Sequence, residues 1–221
     1  MGDLQFKPVA QGRYFDRTFN CVSVDTDTST SDTAVVLASG SVALMADTIH
    51  NFTDALTAPA IPQGLHALKR LMETEDPDAR NALAHVSLTG GIALANAGLG
   101  AVHGLAGVIG GLTPAPHGAI CGALLAPILR LNRTRATGET ARRLDAVFTH
   151  IATTLGGPPD QAPETLAAWA RASGLPGLTA QGLPPALHPQ TAEAALTSSS
   201  MKGNPTALSA ADLEQALRDA S

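Results

Sequence analysis

His103 and His117 stand fourteen residues apart inside a stretch, Asn81 to Leu129, that runs for forty-nine residues without one Asp, Glu, Lys or Arg. Each has small neighbours, in GAVHG and in APHG. A charged imidazolium is costly in apolar surroundings, so both rings read as neutral, and neutral imidazoles are good ligands for a divalent metal ion. The same spacing fits two core histidines bonded to backbone carbonyls, and spacing alone leaves both readings open. Cys21 and Cys121 are a hundred residues apart with no CxxC spacing, which suggests neither a disulfide scaffold nor a thiolate zinc site. Cys121, in an apolar run, reads as a small buried hydrophobe.

The elements that must position these histidines are helical. Aromatic residues make up 3% of the 221 residues while Ala, Gly and Leu abound, a balance that suits close-packed helices. Residues 41–70 carry helical spacing that Pro59 and Pro62 are expected to break into two pieces. Asp76-Pro77 places a capping carboxylate before a proline at a helix start. A helix from Glu139 to Leu155 should stop at Gly156, and Ser209 to Asp212 resembles a capping box ahead of a last helix with an i,i+4 pair, Glu214 and Arg218. Trp169 reads as a core anchor. Thr18 to Gly40, with alternating Val22 and Val24 and a polar middle, is the one credible β region. The expected architecture is mainly α, a multi-helix bundle over 41–221 preceded by a short β or irregular segment over 1–40.

Composition bounds the function classes. A net charge of -5 and scattered Lys and Arg argue against nucleic acid. Arg130, Arg133, Arg135, Arg142 and Arg143 read as a solvated end of the bundle, and the Asp25, Asp27 and Asp32 group as a solvated turn. No secretory signal is legible at the start, and a cytoplasmic location is expected. Val86 to Leu112 is long enough to span a bilayer, but Asn96, His103 and the many glycines favour a buried helix pair, so a membrane role is disfavoured.

From about Phe52 onward the strings FTDAL, ALANAGLGAVHGLAGVIGG, PAPHGAICGALLAPILRLN and GNPTALSAADLEQAL resemble, in order, the helical C-terminal domain of the iron-containing alcohol dehydrogenases and maleylacetate reductases. The resemblance implies that His103 and His117 occupy two of four metal-ligand positions, for Fe²⁺ or Zn²⁺. The other two positions fall near Val35 to Ser39, which read VVLAS, and Gly107 stands where the family has a further histidine. No glycine-rich dinucleotide turn appears in residues 1–50, so the NAD(P) domain is expected to be absent. Upstream, GSVALMADTIHNFTDALTA (40–58) is similar to a helix of cation diffusion facilitators, which implies a metal-binding pair at His50 and Asp54, one helical turn apart. Thr18 to Gly40 resembles a strand-turn segment of the ornithine acetyltransferases, without their self-cleaving threonine motif. The chain reads as a mosaic, whether natural, engineered or generated.

Two functions compete on these grounds. One is a truncated iron-type alcohol dehydrogenase-like helical domain with residual divalent-metal binding, Asp47, His50 or Asp54 substituting for lost ligands, and at most weak NAD(P)-dependent alcohol oxidoreduction. The other is a non-catalytic helical interaction module, whose exposed apolar face recruits a protein partner or forms a homo-oligomer.

Overall fold

The computed structural model describes residues 60–74, 76–86 and 98–221. The expected β region at Thr18 to Gly40, the boundary at residue 40, and the pair His50 and Asp54 lie outside them. Among the described residues there is no strand, and these residues form a bundle of eight α-helices. They are α1 (Ala60–Glu73), α2 (77–86), α3 (Ala101–Leu112), α4 (His117–Arg135), α5 (Gly138–Leu155), α6 (Ala162–Ala172), α7 (His188–Leu196) and α8 (Ala210–Asp219), with short 3₁₀ turns at Pro159–Gln161, Pro185–Leu187 and Ser199–Gly203.

Local chemistry sets most of the boundaries. Pro62 lies in the first turn of α1 and does not break it, because a proline there lacks an N–H that would have had no helical partner anyway. Asp76 Oδ1 accepts from the N–H groups of Asp78 and Ala79, both at 3.0 Å, and caps α2. These backbone bonds, with Arg70 alongside, hold its carboxyl below the usual range although partial burial opposes them. α5 ends where Gly156 turns to φ 92°, and Lys69 of α1 donates to the carbonyl of Thr154 at 3.1 Å, a cation at a helix C-terminus. α8 begins with a complete capping box, Ser209 to Asp212.

The long helix α4 is the hub, packed against α3, α5, α6 and α8, while α7 lies on both α3 and α8. Its Ile120, Leu124, Leu125 and Ile128 are buried, and α5 answers with Leu144, Val147, Phe148 and Ile151, an i,i+3/i+4 stripe. α1 and α2 meet closely at Gly64, where a Cβ would press on Val86. The five arginines of the bundle's end all face carboxylates: Arg130 pairs with Asp219 and Glu164, Arg133 with Asp145, Arg135 with Asp212, and Arg142 and Arg143 with Glu139. Trp169 packs half-buried against the core. No helix among the described residues is long and apolar enough to cross a membrane.

Candidate metal centre

His103 is the third residue of α3 and His117 the first of α4. In a simple antiparallel hairpin these positions would lie at opposite ends, since His103 sits nine residues, or about 14 Å of helix, before the end of α3. Their rings are nevertheless 5.4 Å apart between centroids. The link Thr113-Pro114-Ala115-Pro116 must therefore run back along α3, and it suits that path. Thr113 and Pro116 are extended, and the two prolines and the residues before them favour extended backbone. Thr113 Oγ1 ties the turn down by donating to Ile109 O at 3.1 Å and accepting from Ala115 N at 3.4 Å.

The third member is Cys121, one turn after His117 on the same face of α4. Its Sγ is 3.4 Å from His117 Nε2 and 4.0 Å from His103 Nε2. One donor atom from each of the three residues lies within 4.8 Å of the others, and among the described residues no carboxylate joins them. Cys121 is 1% exposed and His103 9%, while His117 is half-buried, so the group is closed on the core side and reachable at His117. In a tetrahedral zinc site with bonds of about 2.0 Å to nitrogen and 2.3 Å to sulfur, neighbouring N and S donors stand about 3.5 Å apart. The two observed separations bracket that value, so the donor set fits a small divalent ion without rearrangement of the helices.

The surroundings fix this geometry. Asn204 Oδ1 accepts from the N–H of Ala101 at 3.2 Å, capping the α3 turn that carries His103, because Gly100 has no side chain to do so. Gln181, buried in the loop after α6, donates to Ala119 O at 3.1 Å and to Pro176 O at 2.7 Å, pinning the first turn of α4 between His117 and Cys121. Gly104 admits Met201 against α3, and Gly107 points where a Cβ would meet nothing within 4 Å. The sequence reading places Cys121 correctly in the core and misses its company. The signal available was its i,i+4 spacing from His117.

A helical bundle in which two histidines converge from adjacent helix starts is the arrangement that the resemblance to the iron-containing alcohol dehydrogenases implies. The chain belongs to the Fe-containing alcohol dehydrogenase family, whose C-terminal family model matches residues 42–221. Alcohol dehydrogenase 4 of Schizosaccharomyces pombe is 36% identical over 97 residues, 43% of this chain and 23% of that protein. The alcohol dehydrogenase of Oenococcus oeni superposes with a TM-score of 0.68 at 20% identity, covering 86% of this chain and 52% of its own. The maleylacetate reductase of Agrobacterium tumefaciens gives 0.65 at 21% identity, covering 84% and 53%. The chain thus spans about half the length of these structures and under a quarter of the S. pombe protein. A second model, the ArgJ family, matches residues 8–71 and overlaps the first over 42–71, so two family signatures meet in one chain, as the mosaic reading has it.

Proposed function

We propose that this domain holds one divalent metal ion, iron or zinc, on His103 and His117, and that it serves NAD(P)-dependent alcohol oxidoreduction of the kind for which its family is named. The observation that carries the reading is the convergence of the two Nε2 atoms on one point, from residues that adjacent elements would otherwise keep apart. When bound, the metal supplies Lewis-acid polarisation of an alcohol or carbonyl oxygen. The protein's own part is to present two imidazoles from two rigid helix starts and to shield them on the core side. The hydride acceptor carries the redox chemistry and must be positioned by a nicotinamide-binding segment, so activity of these 221 residues alone is expected to be weak at most. His50 and Asp54 belong to the same proposal as further donors.

The test is metal content by mass spectrometry on protein purified without chelator, wild type against the His103→Ala/His117→Ala double variant. Stoichiometric iron or zinc in the wild type, lost in the variant, is the expected result. Wild-type protein that takes up neither metal on addition of either would overturn the reading.

A further inference from the structure

We infer that the thiolate of Cys121 is itself a metal ligand, so that the described donor set is two imidazoles and one sulfur and the site selects zinc over iron. This rests on the metal reading above and goes beyond it in naming a donor and an ion. Three observations carry it. Cys121 Sγ lies 3.4 Å from His117 Nε2 and 4.0 Å from His103 Nε2, separations that bracket the one expected between N and S donors on a single zinc ion. It shares a face of α4 with His117 through the i,i+4 repeat, so one rigid helix presents both donors. The donor group of the described residues is nitrogen and sulfur without a carboxylate, and a thiolate in the set favours zinc over the harder ions iron, manganese or magnesium even where Asp54 adds an oxygen. A thiolate with two imidazoles is a borderline-soft set, well matched to Zn²⁺. Cys121 is 1% exposed, and as a thiol it can donate weakly to His117 Nε2; binding a metal would replace that proton with the ion.

The experiment is zinc K-edge X-ray absorption on the full chain carrying Cys21→Ser, so that Cys121 is the sole thiol. The expected spectrum contains one sulfur shell at about 2.3 Å beside nitrogen or oxygen at about 2.0 Å. The Cys121→Ser variant is expected to lose the sulfur shell. Its zinc affinity should also fall by more than the roughly 10- to 100-fold that loss of a ligand's orienting partner costs. Added cobalt gives a second readout, a thiolate-to-cobalt charge-transfer band in the near ultraviolet that is present before and absent after the substitution. Zinc bound with nitrogen and oxygen alone, and with unchanged affinity in Cys121→Ser, would overturn this inference and leave the two-histidine reading standing. No zinc or cobalt bound would bring down this inference, and no iron bound either would bring down both. Should Cys121→Ser fail to fold by circular dichroism, the sulfur shell in the thiol-bearing protein decides the matter by itself. Equimolar competition must also leave zinc rather than ferrous iron on the protein.

Discussion

Asn132 and Asn204 form a reciprocal amide pair across the bundle: Asn204 Nδ2 donates to Asn132 Oδ1 at 2.8 Å, and Asn132 Nδ2 to Asn204 Oδ1 at 3.3 Å. Thr206 Oγ1 adds a bond to Asn132 Oδ1 at 2.7 Å, and Asn204 Nδ2 a second one to Thr206 O at 2.7 Å. Because Asn204 Oδ1 also takes the N–H of Ala101, the pair locks the start of α3 to the late turns of α4. His103 is two residues from that lock. A polar network of this kind is stabilising only while every member is satisfied.

Asn204→Ala should therefore cost more than one hydrogen bond. It takes the acceptor from Asn132 Nδ2 and from the N–H of Ala101, and a loss of roughly 1–3 kcal/mol is expected. Urea denaturation of Asn204→Ala, Asn132→Ala and the double variant measures it. The double should lose clearly less than the sum, because the two side chains serve one network. Strict additivity would mean the pair is not coupled. Zinc affinity should fall along with stability in Asn204→Ala, since the cap holds the helix turn that presents His103.

Two glycines near the site are expected to respond in opposite senses. A Cβ at Gly203 would collide with the backbone carbonyl of Leu99, just ahead of α3, so Gly203→Ala must displace that helix start at a cost of roughly 1–3 kcal/mol. Gly107 is exposed within α3 and a Cβ there meets nothing within 4 Å. Gly107→Ala should stabilise by roughly 0.5–1 kcal/mol through helix propensity. Thermal melts of the two variants check the signs, and a destabilised Gly107→Ala would show that its face of α3 is covered.

Ser209→Ala removes the acceptor for the Asp212 N–H and a donor to the Asp212 carboxylate. A loss of about 1 kcal/mol is expected. Burial pushes the Asp212 carboxyl up, but the bonds from Ser209 and the pairing with Arg135 outweigh it and hold it below the usual range. Its contribution is present above the ordinary carboxylate range and lost as pH falls through the lowered value. The penalty of Ser209→Ala should accordingly shrink in acid, and chemical denaturation at low and neutral pH measures that change.

What was legible in the sequence was mostly local. The caps at Asp76 and Ser209, the stop at Gly156 and the Glu214–Arg218 pair each depend on residues within one turn, and each stands as read. The mainly helical class was legible in the aromatic-poor, Ala-, Gly- and Leu-rich composition, whereas the likeness to a particular bundle and the standing of His103 and His117 came from strings that resemble a family. Fourteen residues of separation cannot show that the 113–116 link doubles back. Cys121 and Asn204 were not seen as parts of the site because their roles exist only once α3, α4 and the chain after α7 are packed together. A hydrophobic neighbourhood hides a cysteine ligand as readily as it explains a core one.

His188 gives the pH dependence with its sign fixed by structure. It is buried at the start of α7, and its Nε2 lies 3.3 Å from Ser221 Oγ. The serine hydroxyl spends its own proton on Leu217 O at 2.8 Å, so His188 is the donor between them. Burial, with the Arg218 charge nearby, lowers the imidazole from its ordinary 6.5, and Glu214 only partly offsets this. A depressed histidine favours the neutral ring in the fold, so the unfolded chain binds more protons in the intervening window and stability rises with pH there. The His188 contribution is complete above about pH 6.5 and is lost as pH falls through the lowered value. Urea midpoints of wild type and His188→Gln, taken near pH 7.5 and near pH 5, measure it as a difference that cancels the other histidines. The wild type should lose more stability than the variant on acidification. Equal losses would mean that His188 is not held neutral by its burial.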